Sequence, residues 1–248
     1  MIADYTTPAL GRLLAIFGVI GGYIVLVGNV EALLAGEALH GVWSAVPAFP
    51  VALLIPFLLF IVNMLGVEAF GRVQPLLTVV MIAALVALGL VGFLGIGGGT
   101  RVSEVAFNPG GWANVSQLMA LGIYLYVGIE YVCPMSEEVR SPERNIPRAM
   151  IIGIVVIFLA DVLFGSASLL YVDNDTLANS DIPYIVGAEG IAGRAGLIAI
   201  VVATVFASAS SLDSNLAAVP LMLYGLAREG MGSRPAAELE RSLRPRAA

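Results

Sequence analysis

The feature that most limits what this chain can become is its series of apolar runs, each long enough to cross a lipid bilayer. Six stand out, at residues 10–34, 46–65, 76–96, 115–138, 149–172 and 196–226. About 20 apolar residues in an α-helix span the hydrocarbon core. The connections between the runs are short and rich in Gly, Pro, Asn and Asp, the residues that turns use. The expected fold is all-α: a polytopic bundle of about six transmembrane spans, forming one membrane domain over residues 1–248. The fourth run is expected to be broken near residue 128, and residues 233–248 to form a disordered cytoplasmic tail. Only 12% of the 248 residues are charged, about half the share in an ordinary soluble domain. No cleavable leader is read, because Met1–Pro8 is polar and the apolar run after it is too long for a signal core.

The arginines orient the spans. All 12 basic residues are Arg. With the N-terminus in the cytoplasm, the inner ends and loops hold Arg12, Arg72, Arg140, Arg144, Arg148, Arg228, Arg234, Arg241, Arg244 and Arg246, and the outer loops hold Arg101 and Arg194. Ten against two is a strong positive-inside bias. It predicts a multi-pass protein of the cell (cytoplasmic) membrane with both termini cytoplasmic. A net charge of −6 gives no reason to expect a nucleic-acid partner. Cys133 is the single cysteine and His40 the single histidine, which excludes an internal disulfide and a histidine-based metal cluster. No metal or other cofactor is expected.

The most informative stretch runs from Tyr124 to Ala149. An apolar helix arrives at Gly128, then meets Glu130 and Pro134. Pro134 removes one amide donor and crowds the carbonyl four residues back, which is that of Glu130. Gly and Pro around an acid at membrane depth predict a discontinuous helix, and transporters use the polar groups of such breaks to hold charged substrates at the bilayer midplane. A helix is expected to resume after the break and end at Glu137–Glu138. Pro147 suits the first turn of the helix after that. The sixth run is also unusual. It carries Ser208, Ser210, Ser211, Asp213, Ser214 and Asn215 in its middle, a polar set that should face a cavity or another helix.

Gly128-Ile-Glu130, followed by Glu137-Glu-Val-x-x-Pro-x-x-x-Ile-Pro-x-Ala149, resembles the sixth-helix signature of the amino acid–polyamine–organocation transporter superfamily. Asn215 with Leu223-Tyr-Gly-Leu-Ala-Arg-Glu-Gly230 is similar to that family's eighth-helix ending, and Asn63–Gln74 to the loop between its fourth and fifth helices. The resemblance covers residues 10 to about 235 and implies a partial five-plus-five inverted-repeat fold, with helices three to eight present and the others absent. The chain is therefore expected to be a fragment, and residues 233–248 do not look like the family's next loop and helix. Where the family often has Arg, this chain has Leu221.

The resemblance implies secondary active transport of an amino acid or related amine by alternating access, driven by protons or exchange, with a small-molecule substrate and the lipid bilayer as partners. It does not speak for an enzyme, and neither a nucleophile–base pair nor a metal cluster is found in the spans. The alternative is a truncated, non-transporting membrane protein or a nutrient sensor. The implied substrate-binding residues are Tyr124, Gly128, Ile129, Glu130 and Asn215, with Glu130 as the proton-coupling candidate. Each keeps a plainer reading beside it. Glu130 is a coupling acid or a cap on the amides freed by the break. Gly128 and Ile129 offer backbone groups to substrate, or Gly128 only permits close packing. Tyr124 is an aromatic gate or a buried tyrosine. Asn215 lines the cavity or makes an interhelical hydrogen bond. For Asp213 and Asp161 an interhelical contact is preferred over a cation ligand and a proton path, respectively. His40 and Cys133 are read as structural or incidental. The charges from Glu137 to Arg148 are read as interfacial anchors, loop caps or part of an inner gate.

Overall fold

The computed structural model describes residues 10–228 except 12–13, 15–16, 66, 104–110, 137–138 and 181. The tail at 233–248 and the Glu137–Glu138 pair lie outside them. Every regular element among the described residues is helical, which is the arrangement that lets an apolar segment satisfy its own backbone in lipid. A π-helical segment, Gly18–Val27, runs directly into α1, Gly28–Val42. There follow α2 (Ala48–Met64), α3 (Val67–Leu94), α4 (Gly111–Tyr124), α5 (Pro142–Leu169), the short α6 (Asn174–Ala178) and α7 (Pro183–Arg228). Gly21–Val42, Gly71–Leu94, Pro142–Leu169 and Pro183–Leu226 are each long and apolar enough to cross a membrane, and α2 is a shorter apolar helix.

Several helix limits differ from the apolar runs, for local reasons. The first helix continues to Val42 instead of stopping near residue 34. Polar Glu37 and His40 lie on exposed positions while Ala35, Gly36 and Ala38 face inward, so one helix serves both environments. The helix of the fifth run begins at Pro142, ahead of residue 149, and Pro142 rather than Pro147 takes its first turn. The missing amide of a proline costs nothing there. α7 is bent at Ala192 (φ −136°, ψ 20°) and Gly193 (φ 56°, ψ −140°). The positive φ at Gly193 suits a residue without Cβ. The stretch after this bend is the sixth run.

α7 is the spine. Its Ala188, Ile191, Ile200, Val201 and Ala203 pack with Leu88 of α3, Phe164 and Ala167 of α5, and Ala38 of α1. Further along, Ala209 and Leu212 meet Ala32 of α1 and Ala52 and Leu59 of α2. α3 and α5 run side by side in the same direction. A Cβ at Gly89 would lie 2.6 Å from Leu163 Cγ, and one at Gly92 would lie 2.8 Å from the Ala167 Cβ, so these glycines set the helix separation. Small residues at the contact are the usual device where lipid removes the hydrophobic drive between helices. At the same end, Arg101 donates to the Phe93 and Gly92 carbonyls at 2.7 and 3.1 Å, and the Tyr171 hydroxyl donates to Gly92 O at 2.8 Å. The last carbonyls of α3 are thereby capped. Just beyond α5, Thr176 donates from both its amide and hydroxyl to Asp173. These bonds hold the exposed Asp173 carboxyl below the ordinary aspartate range.

The outer faces are strongly apolar. Phe49, Leu53 and Phe57 of α2 are 66%, 58% and 60% exposed, and Ile151, Ile152 and Leu159 of α5 are 63%, 62% and 58% exposed. Such continuous exposure is unfavourable in water, at about 25 cal/mol per Å² of apolar surface, and is natural against lipid.

Candidate functional site at the helix break

The α-helical course of the fourth run ends at Tyr124. Residues 125–128 form turns, and Gly128 adopts φ 104°, ψ −16°. A 3₁₀ turn then covers Ile129–Val132. In place of the resumed α-helix expected after the break, i→i+3 bonds carry the chain onward, from Tyr131 N to Gly128 O, Cys133 N to Glu130 O and Met135 N to Val132 O. Pro134 has no amide to give to the Glu130 carbonyl, so the tighter pattern takes over.

Glu130 folds back over this break. Its Oε2 accepts the Gly128 amide at 2.8 Å, and its Oε1 accepts the Tyr23 hydroxyl at 2.7 Å. The acid therefore caps a freed amide and also ties the break to the π-helical segment. That segment is itself pinned from the other side. The Tyr23 carbonyl accepts the Gly28 amide and the Asn215 side chain, the latter at 2.8 Å. Asn215 also reaches the Tyr131 hydroxyl at 3.4 Å, and the Tyr23 and Tyr131 rings meet at 5.3 Å between centroids. Gly128, Glu130, Tyr131, Tyr23 and Asn215 thus form one connected set drawn from three parts of the chain. Aromatic rings with polar ends suit such a position, where one side is packed and the other hydrogen-bonded.

Of the residues singled out in the sequence, Gly128, Glu130 and Asn215 are brought together here, and Ile129 opens the 3₁₀ turn. Tyr124 closes α4, and its side chain lies outside the described residues. Cys133 is exposed, and His40 Nδ1 donates to the Val46 carbonyl at 2.7 Å, bracing the turn before α2.

Asp213 stands apart from the break, in a second polar set between α2, α3 and α7. It is fully buried. Asn63 donates to its Oδ1 at 2.6 Å. With the Gln74 amide oriented to suit both its ends, its nitrogen faces Asp213 Oδ2 at 3.3 Å and its oxygen accepts from Ser210 and Ser214 at 2.8 Å each. Each polar group here has a partner, as burial requires. Asp161 of α5 faces a cavity together with Glu31 of α1.

Tyr23, Tyr131 and Glu31 were not among the residues the sequence pointed to. Glu31 carried a usable signal, since an acid within the apolar run 10–34 calls for a partner or a cavity. Tyr23 and Tyr131 carried none beyond being aromatic residues with a polar end.

Comparison with known proteins bears on this arrangement. The model of the family described as "Amino acid permease" matches residues 2–248, a range that includes the segment 233–248 set apart from the resemblance above. The chain is 28% identical over 212 residues to the D-serine/D-alanine/glycine transporter of Escherichia coli K12, covering 78% of this chain and 44% of that protein. It is 29% identical over 214 residues to the uncharacterized transporter YdgF of Bacillus subtilis 168, covering 81% and 46%. It is 25% identical over 175 residues to the uncharacterized amino acid permease YecA of the same organism, covering 68% and 39%. The chain spans less than half the length of these curated relatives.

Proposed function

Because this chain belongs to the amino acid permease family, we propose that it serves the transport of amino acids or related amines across the cytoplasmic membrane, with substrate held at the helix break. The observation that carries this reading is the break itself. Gly128 at positive φ interrupts the fourth span, and Glu130 bridges the freed Gly128 amide to Tyr23. A carboxyl with two exchangeable partners is suited to accept or release a proton and, in doing so, to loosen one helix from another. Backbone groups of Gly128 and Ile129 would meet the substrate, Asn215 would face it from α7, and Tyr124 would stand at its approach. Alternating access follows if the break rocks against α7 around this point. Proton coupling through Glu130 is preferred over simple exchange, because an acid at membrane depth is costly unless it has work to do.

Uptake of radiolabelled alanine, glycine and D-serine into liposomes holding the purified chain tests the reading, with a full-length relative measured alongside. Uptake well above that of empty liposomes, competed by unlabelled amino acid, is expected. No competable uptake by this chain, with the relative active, would reject transport by this chain.

The orientation proposed from the arginines has its own test. In a Cys133→Ser background, single cysteines at positions 178 and 143 are expected to react with an impermeant thiol reagent from outside and from the cytoplasm, respectively. The reverse pattern would overturn the assignment of both termini to the cytoplasm.

A further inference from the structure

The helix α5 has two unlike faces on opposite sides. Gly153, Ile157, Ala160, Phe164 and Ala167 turn toward the bundle, half-buried or buried. Opposite them, Arg144, Arg148, Ile152, Val155, Leu159 and Val162 follow one another three or four positions apart, and each is exposed. Residues at that spacing stand one above another on a helix. Glu143, the acid in the first turn of α5, lies about 100° round the helix from Arg144 and so off this stripe. Neither Arg144 nor Arg148 makes a side-chain hydrogen bond or ion pair with another described residue.

The stripe is therefore basic at one end and apolar along the rest. It runs about 16 Å from Arg148 to Leu159 at the rise of an α-helix, half of a hydrocarbon core about 30 Å thick. A single phospholipid has the matching parts: a phosphate at the interface and acyl chains one leaflet deep. A guanidinium offers paired N–H donors that fit phosphate oxygens. Two of them one turn apart would repel the choline or ethanolamine cation of a zwitterionic headgroup. A headgroup of net negative charge meets no such opposition. Free phosphate in water could use the arginines but gains nothing from the apolar stripe.

We propose that this face of α5 is a docking site for one anionic phospholipid, with its phosphate on Arg144 and Arg148 and its acyl chains along Ile152, Val155, Leu159 and Val162. The lipid sits in the leaflet that the N-terminal end of α5 meets, the inner one in the orientation proposed above. The opposite face of the same helix meets the break, since a Cβ at Gly153 would lie 3.9 Å from Ile129 Cδ1. A lipid held on the outer stripe therefore steadies the helix against which the break rests. The docking itself does not depend on the transport reading.

Native mass spectrometry of the purified, delipidated chain in detergent tests it, with phosphatidylglycerol and phosphatidylcholine titrated separately. Saturable retention of phosphatidylglycerol is expected, with phosphatidylcholine held about tenfold more weakly. Arg144→Gln combined with Arg148→Gln should weaken phosphatidylglycerol about tenfold or more, whereas lysine at both positions should keep most of the binding. Arg194→Gln removes an exposed arginine outside the stripe and should leave binding unchanged. Arg144 and Arg148 bond no described residue through their side chains, so the glutamine variant should melt as the parent does in lipid-free detergent. If it fails to fold, Arg148→Gln alone decides by the same comparison. Equal binding of the two lipids, binding unchanged by glutamine, an equal loss in Arg194→Gln, or competition by inorganic phosphate at the lipid's own concentration overturns the proposal. So does a dimer of this chain that the glutamine variant dissociates, which would give the stripe to a second copy. Selective lipid retention without competable alanine uptake leaves this site standing and removes the transport reading.

Discussion

Valine in place of Gly128 is expected to lower stability by about 1–3 kcal/mol and to reduce uptake at least tenfold. Gly128 sits at φ 104°, ψ −16°, a conformation that a β-branched residue adopts only under strain of about that size. A Cβ alone would make ordinary contact with the Tyr131 ring, at 3.4 Å, and the methyl groups of valine would reach further toward that ring, which is packed on Tyr23. The chain can escape only by turning the 125–128 segment, which withdraws the Gly128 amide from Glu130. Alanine should show the same effects at smaller size. Thermal unfolding in detergent and initial uptake rates measure the two parts separately. A valine variant with wild-type melting and wild-type uptake would mean that the break is not held in this geometry.

The second large effect is expected at Asn63. Replacing it with leucine should cost about 2–3 kcal/mol, even though interhelical hydrogen bonds in membranes are on average worth only about 0.6 kcal/mol. The difference lies in what is left behind. Asp213 is fully buried, and Asn63 supplies its shortest bond, at 2.6 Å. Removing one partner of a buried polar group costs the desolvation of the other, about 1–3 kcal/mol and more where charge is involved. Removing both should cost much less, so Asn63→Leu combined with Asp213→Leu is expected to recover part of the loss. Unfolding midpoints of the two single variants and the double variant give the cycle. A single Asn63→Leu change costing under about 0.5 kcal/mol would place the stability of the α2–α7 contact elsewhere.

The membrane character of the chain and the all-α architecture were legible because both follow from composition and run length. The local chemistry of the break was legible for the same reason, since Gly128, Glu130 and Pro134 lie within seven residues of one another. What joins the break to its surroundings was not legible. Tyr23 is 107 residues from Glu130, and Asn215 is 192 from Tyr23. A single sequence holds no sign of such pairings. The same holds for Asn63 and Asp213, 150 residues apart. Helix limits and apolar runs part company in places. α1 continues through Glu37 and His40 because the backbone keeps its hydrogen bonds whether or not the side chains face lipid. The segment after the break stayed in i→i+3 turns because Pro134 cannot supply the amide that an α-helical turn needs there.

The most direct test of the account is pH-dependent uptake by Glu130→Gln. Glutamine fits the same hydrogen bonds, accepting the Gly128 amide with its oxygen and donating to the Tyr23 hydroxyl oxygen with its nitrogen, but it cannot gain or lose a proton. Uptake of radiolabelled alanine is measured in liposomes under imposed proton gradients, with the outside set between about pH 5 and 8, where folded proteins tend to be most stable, and melting temperature is followed in parallel. The account predicts a variant that folds as the parent does and whose remaining uptake no longer responds to pH. A variant whose uptake follows pH as the parent's does would contradict it, reducing Glu130 to a cap on the Gly128 amide.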